Sequence, residues 1–339
     1  MARVLLRWHH QVNTRRMPWK GERNPYLIWL SEIILQQTRV EQGLPYFLRF
    51  KETYPTVQDL AHAPEDAVLR LWQGLGYYSR ARNLHATAKT ITREHQGKFP
   101  STYNDLIKLK GVGAYTAAAI ASFAYGEPRA VVDGNVIRVL SRLFGVDTPF
   151  DTAAGKNQFR EMAQALIDSQ EPAAYNQAIM DFGATVCKPR QPDCTNCPFQ
   201  SVCFALQHQL QESLPVRQKK PVVRSRYFYY LIDMNKRGLL MKKRPEGDIW
   251  AGLYDLPLLE TKAPLKKDIF SQVARHFECT EVKKAGSTTQ KLTHQTIHFS
   301  FFYGTTTKPR KYQRISGENL LNTPMPKTIA LFLRQFGLL

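Results

Sequence analysis

Long apolar runs are missing from this 339-residue chain. None of its apolar stretches approaches the roughly 20 residues needed to cross a bilayer as a helix, so no membrane segment is expected. An amphipathic basic helix with an exposed apolar face is missing too, which leaves an anionic membrane surface a poor candidate partner. Internal repeats and low-complexity tracts are absent. Cysteine is scarce, with five residues, and Cys279 stands alone. An odd count with one isolated thiol does not build a disulfide framework, and a reducing compartment fits better.

Acid is also in short supply. Lys and Arg number 47 against 28 Asp and Glu, a net charge of +19. The deficit is uneven: residues 1–216 hold 24 bases and 19 acids (+5), whereas residues 217–339 hold 23 bases and 9 acids (+14). Such an excess points to a polyanion, most simply nucleic acid. The stretch Met1–Gly21 has no acid and carries Arg3, Arg7, Arg15 and Arg16, a superficial likeness to a transit peptide. Val4, Leu5 and Trp8 recur there at helical spacing, so a first helix is the preferred reading.

The length suits two domains, each able to bury a core. From Arg3 to about Leu214 the texture is helical, with apolar repeats in Leu27–Phe50, Ala67–Trp72, Thr116–Phe123, Val136–Phe144 and Phe159–Ile167 separated by breakers such as Pro55, Gly74, Pro100 and Pro149. Residues 215–226 are basic, proline-bearing and weakly patterned, as a linker is. Beyond Tyr227 the pattern changes. Tyr227–Met234 and Leu239–Lys243 flank a hairpin turn at Asn235–Gly238, Thr293–Thr305 reads as a strand, and Lys266–Phe277 and Lys327–Phe336 read as helices. The expected class is an all-α domain, 1–214, followed by a smaller α+β domain, 227–339.

Four cysteines fall within 17 residues as Cys187-x6-Cys194-x2-Cys197-x5-Cys203. Four thiols in one loop read as a metal cage. Zinc favours paired Cys-x2-Cys knuckles, of which there is one, and the longer arms suit a [4Fe–4S] cube. Lys188 and Arg190 sit inside the first arm, where phosphate is within reach. In Leu109-Lys-Gly-Val-Gly-Ala-Tyr-Thr116, Gly111 and Gly113 allow a tight turn whose N–H groups and helix dipole can hold a phosphate; a plain helix–helix turn reads the same way. Asp133 precedes the apolar-periodic Val136, Val139, Leu140 and Leu143, and reads first as a helix N-cap, a role compatible with facing a developing cation. Glu32 has Ile28, Trp29, Leu35 and Gln36 as helical neighbours, so it is either a stray surface acid or a desolvated one poised as a general acid.

In chain order, the Gly-Val-Gly hairpin, the Val132-Asp-Gly-Asn135 stretch and the cysteine loop resemble the endonuclease III superfamily of helix-hairpin-helix DNA glycosylases. Within it, Ser31-Glu-Ile-Ile-Leu-Gln-Gln-Thr-Arg-Val40 and Gly74-Leu-Gly-Tyr-Tyr-Ser-Arg-Ala-Arg-Asn-Leu-His85 are similar to the adenine DNA glycosylases, the MutY family. The likeness runs from about residue 3 to 214. It implies excision of adenine mispaired with 8-oxoguanine or guanine in double-stranded DNA. Glu32 would protonate the flipped adenine, Asp133 would stabilise the oxocarbenium-like sugar, and Asn135 and Tyr115 would support Asp133. Tyr115 stands where bifunctional relatives carry the Schiff-base lysine, which implies a monofunctional enzyme. Lys110, nearby in sequence, leaves room for weak lyase action.

By the same likeness Arg15, Trp19, Lys20, Leu35 and Gln177 match the adenine pocket. Gln37 and Tyr77 match residues that wedge into the base stack, and Thr38 and Leu75 lie against the opposite base. Spacing alone would make Trp19, Leu35, Leu75 and Tyr77 helix-core residues. The resemblance implies a [4Fe–4S] cluster on Cys187, Cys194, Cys197 and Cys203, and a cytoplasmic, nucleoid-associated bacterial monomer. The second domain resembles the family's MutT-like (Nudix) module through Trp250-Ala-Gly-Leu-Tyr-Asp-Leu-Pro257. It has no acidic Nudix box: one acid, Asp268, occurs in 266–277, so no Mg²⁺-dependent phosphohydrolase is expected. His298 matches the histidine of the loop that reads 8-oxoguanine, whereas Thr296 and Ile297 replace a typical Phe-Ser pair. Two other readings stand beside this one: a pyrimidine-lesion glycosylase/lyase and a non-catalytic iron–sulfur DNA-binding protein.

Overall fold

The computed structural model describes residues 1–218, 223–266, 268–292 and 294–339. Part of the linker (219–222), Lys267 and Thr293 lie outside the described residues. The chain forms two compact units, Met1–Ala61 with Ala86–Lys220 and His62–His85 with Pro221–Leu339. Residues 62–85 thus join the strand-bearing unit, where Lys243 Nζ meets Asp66 Oδ1 at 2.7 Å.

The helices are α1 (Ala2–Gln11), α2 (Pro25–Leu35), α3 (Val40–Thr53), α4 (Val57–His62), α5 (Glu65–Trp72), α6 (Ser79–Glu94), α7 (Tyr103–Leu106), α8 (Ala114–Tyr125), α9 (Gly134–Phe144), α10 (Ala153–Leu166), α11 (Pro172–Thr185) and α12 (Phe204–Gln207). Asn24 caps α2 by accepting from Tyr26 N, and Pro25 opens its first turn. Eight of its eleven residues are buried, so α2 runs through the interior rather than over the surface. It packs on α8, whose Ala-rich sequence permits close approach. The apolar repeat read over 27–50 is broken at residues 36–39, where Gln37 adopts φ +54°. The break separates α2 from α3.

α11 is central to the first unit, touching α1, α8 and α9. Trp8 of α1 stands edge-on to Phe182 of α11 at 5.1 Å, and Phe182 does the same to Phe199 at 5.5 Å. Leu5 and Trp8 are buried, but Val4 is exposed, a correction to the apolar face read for the first helix.

The second unit adds β1 (Arg224–Ile232), β2 (Met234–Asn235), β3 (Gly238–Lys243), β4 (Tyr254–Asp255), β5 (Leu258–Thr261), α13 (Ile269–Phe277), β6 (Cys279–Lys291), β7 (Gln295–Thr306), β8 (Gln313–Ile315), α14 (Gly317–Leu320) and α15 (Lys327–Gln335). One mixed sheet has the order β5-β1-β7-β6, with β1 and β7 parallel; β2, β3 and β4 form a second sheet, with β8 pairing on β3. Phe228, Tyr230, Phe299 and Phe301 fill one face, against Ile329 and Phe332 of α15, with Phe301 stacked on Phe332 at 3.7 Å. Val273 and Phe277 of α13 pack with Tyr229, Leu231 and Phe302 in a separate cluster. The strand read over 227–234 ends at Ile232. Asp233 turns inward to accept from Arg314 Nη2 (2.7 Å) and Thr306 N (2.9 Å). Met234–Asn235 alone forms the hairpin with Gly238–Leu239.

Candidate active site

A cavity of ≈ 760 Å³ opens in the first unit. That volume lies in the range of small-ligand sites and accommodates a nucleobase. α2 contributes Ser31, Glu32 and Leu35, the α2–α3 break contributes Gln36, Gln37 and Thr38, and Tyr115, Asp133, Asn135 and Gln177 come from the starts of α8 and α9 and from α11. Arg15, Trp19 and Lys20 enter from the segment after α1. Chain segments distant in sequence thus bring Glu32, Asp133, Tyr115 and Asn135 together with Arg15, Trp19, Lys20, Leu35 and Gln177.

Glu32 lies on a helix otherwise given to the core. Burial pushes its carboxyl up to about 7, a hydrogen bond from Tyr115 pulls the other way, and the Asp133 charge adds a further push upward. The Tyr115 hydroxyl is held far above its ordinary range by burial and then by the charges of Glu32 and Asp133. It also reaches Met180 Sδ at 3.4 Å.

Asp133 caps α9: its Oδ1 accepts from Asn135 N and Val136 N, both at 2.8 Å, and its Oδ2 accepts from Asn135 Nδ2 at 2.7 Å. Burial raises this carboxyl, while the three hydrogen bonds and Arg138 favour its ionised form. The cap and the cavity-facing carboxylate are one residue in one conformation. Two acids line one cavity, one held near neutrality by desolvation and the other supplied with donors that suit an anion.

Sequence reading missed Asp181. Its side chain is fully buried, and its oxygens collect Arg15 Nη1 (2.9 Å), Lys20 Nζ (3.2 Å), Gln177 Nε2 (3.0 Å) and Asn13 Nδ2 (2.8 Å). Two cations and two amides are thereby fixed against the cavity wall by one carboxylate. The available signal was an acid four residues after Gln177 on the apolar helix α11.

Trp19 is half-buried and edge-on to Phe47 at 5.5 Å, and Leu35 is half-buried, so both keep a surface toward the cavity. In the second unit, Leu75 is only 6% exposed whereas Tyr77 is 44% exposed, which overturns the core reading for Tyr77. Gly111 has φ +77°, which only glycine adopts without strain. Gly113 precedes α8, whose start carries no side-chain cap.

His298 lies on β7, its ring stacked on Tyr227 at 4.8 Å and 13°. Among the described residues the strand read over 293–305 runs from Gln295 to Thr306, which places His298, matched to a base-reading loop, within a strand. Ile297 is fully buried in the sheet core.

The cysteine loop follows α11. Arg142 of α9 donates to the carbonyls of Lys188 (2.7 Å), Pro189 (3.1 Å) and Leu214 (3.2 Å), and its Nη1 lies 3.5 Å from Cys187 Sγ. Arg138, one turn earlier, donates to Cys187 O (2.8 Å), Gly183 O (2.7 Å) and Asn135 Oδ1 (2.8 Å). Among the described residues, no three His, Cys, Asp or Glu side chains form a group that could hold a metal ion. The thiols still sense one another: after burial, Cys187, Cys203 and Cys194 help press the Cys197 thiol up to about 11. Four soft sulfur donors in one loop are the donor set an iron–sulfur cluster takes.

Residues 30–166 match the HhH-GPD superfamily of base excision DNA repair proteins, and residues 228–335 match the NUDIX domain. An adenine DNA glycosylase of Buchnera aphidicola subsp. Schizaphis graminum is 33% identical over 301 residues, covering 88% of this chain and 85% of the relative. A thermostable thymine-DNA glycosylase structure aligns with TM-score 0.57 and 27% identity over 61% of this chain and 95% of that one. A non-covalent endonuclease III–DNA complex aligns with TM-score 0.53 and 24% identity, covering 62% and 96%, a likeness of fold alone. With the two acids, the cavity and the two domain matches in place, the chain belongs to the adenine DNA glycosylase family, enzymes that act on N-glycosyl bonds.

Proposed function

We propose that this enzyme excises adenine paired with 8-oxoguanine or guanine in duplex DNA, by base flipping and without strand cleavage. The observation that carries the reading is the pair of unlike carboxyls, with Glu32 near 7 and Asp133 held by three donors in the same cavity. Glu32 gives its proton to the extruded adenine, the C1′–N9 bond breaks with its electron pair passing to the base, and Asp133 faces the cationic sugar. Water then adds at C1′ and its proton passes to the Glu32 carboxylate, which restores the donor. Asn135 holds Asp133 in place, and Tyr115 donates to Glu32. Position 115 offers a phenol whose ionisation is strongly disfavoured and which has no amine for a Schiff base, which supports a monofunctional enzyme. Lys110 is not among the residues that line the cavity.

Arg15, Trp19, Lys20, Leu35 and Gln177 form the adenine pocket in this reading. Gln37 and Tyr77 fill the gap left in the stack, and Thr38 and Leu75 face the opposite base. Gly111 and Gly113 present N–H groups to a phosphate, and His298 belongs to a module that recognises 8-oxoguanine. The functional modules are 1–214 and 227–339, and of the joining stretch read as 215–226 the last three residues, 224–226, already belong to β1. Cys187, Cys194, Cys197 and Cys203 hold a [4Fe–4S] cluster, supported by four thiols in one loop and by the two arginines that grip its carbonyls. When bound, the cluster supplies a covalent cross-brace for that loop. A monomer working in the cytoplasm at the nucleoid completes the reading.

A single-turnover assay tests it. Duplexes with 8-oxoguanine:adenine and guanine:adenine should both lose adenine, the first faster, and strands should break only after alkali. Strand breaks that form as fast as the base leaves, or release of an oxidised pyrimidine in preference to adenine, contradict it.

A further inference from the structure

His9 lines the same cavity from α1 and has no part in the chemistry above. Its ring is held by a chain of bonds that fixes its tautomer. Asn13 Oδ1 accepts from Arg15 N at 3.0 Å, so the amide of Asn13 has one orientation. Its Nδ2 then donates one hydrogen to Asp181 Oδ2 at 2.8 Å and the other to His9 Nδ1 at 3.1 Å. Because Nδ1 accepts, a neutral His9 carries its proton on Nε2. Burial and then the Lys20 cation favour the neutral ring, against Asp181 and Glu171 and with His10.

Resting on the adenine-excision reading, we propose that His9 is a specificity-determining donor of the base pocket, its Nε2–H directed at an acceptor nitrogen, N1 or N3, of the adenine six-membered ring. Asn13 is a positioning residue that sets the tautomer through Asp181. A donor opposite N1 also disfavours guanine, whose N1 carries a hydrogen. The other polar groups gathered by Asp181 are the cations Arg15 and Lys20 and the flexible amide of Gln177; His9 adds a neutral, rigid donor to the wall.

Single-turnover excision at saturating enzyme, from duplexes carrying adenine, 1-deazaadenine or 3-deazaadenine opposite 8-oxoguanine, tests the assignment with wild type, His9→Phe, His9→Ala and His9→Gln. His9→Phe and His9→Ala are expected to slow adenine excision about tenfold, the worth of one hydrogen bond, with His9→Gln restoring part of the rate. One of the two deaza bases should show no further loss on substitution, naming the nitrogen contacted. Rates for His9→Phe and His9→Ala within twofold of wild type on adenine overturn the proposal, as does an equal loss on both deaza bases. A wild type that releases no adenine overturns the excision reading instead.

Discussion

Glu32 shows how burying one carboxyl sets its proton affinity. Its proton is bound more tightly in the folded chain than in the unfolded one, where the group titrates near 4.5. The sign follows: the penalty is absent below that pH, grows between 4.5 and 7, and is complete above 7. Glu32→Gln should therefore stabilise the fold above pH 7 by about 3 kcal/mol or less, with no gain near pH 4, as urea denaturation at the two pH values would show. The same substitution should lower single-turnover excision by roughly 10²–10⁴-fold. The wild-type rate should fall as pH rises through about 7, where Glu32 loses its proton, and fall again on acidification as Asp133 gains one. A rate that stays flat from pH 6 to 9 contradicts a proton donor at Glu32. Asp181 is a buried counter-charge to Arg15 and Lys20, so Asp181→Ala should destabilise the protein by about 3–5 kcal/mol, read by chemical denaturation.

At the scale of elements, α9 does two jobs. Its N-terminus is capped by Asp133, and one turn in, Arg138 ties Asn135 Oδ1 to the carbonyl of Cys187. Arg138→Met removes donors from three buried or half-buried carbonyls and from the amide that orients Asp133. Excision and thermal stability should fall together, with a loss of about 2–4 kcal/mol. Unchanged excision with lowered stability would show that the tie is only structural. The cap, the Gly-Val-Gly turn and the amphipathic face of α9 were legible in the sequence because each is a local rule acting over a few residues. The hub at Asp181 was not, because its partners come from residues 13–20 and from its own helix, and no local pattern joins them. β6 was missed for a related reason. Cys279–Lys291 alternates weakly, its burial is low, and its pairing with β7 supplies what its own sequence does not. The break at Gln37 escaped notice because the apolar repeat continues on both sides of it.

For the whole molecule, the surplus of base over acid lies mostly in residues 217–339, and much of it is exposed. Lys283, Lys284 and Lys291 project from β6 to solvent. No helix among the described residues is long and apolar enough to cross a membrane. If this surface meets phosphate, replacing these three lysines by glutamine should reduce the slope of log K against log[salt] for duplex binding by about 0.9 for each phosphate no longer neutralised. An unchanged slope would assign the charge to solubility.

The central claim is that Glu32 and Asp133 perform unlike tasks on one flipped nucleotide. Single-turnover adenine release from an 8-oxoguanine:adenine duplex, measured for wild type, Glu32→Gln and Asp133→Asn alongside duplex affinity, tests it most directly. Both variants should bind the duplex as wild type does and release adenine at least about 100-fold more slowly. Release within a few-fold of wild type by either variant, or a deficit that appears only in binding, contradicts the account.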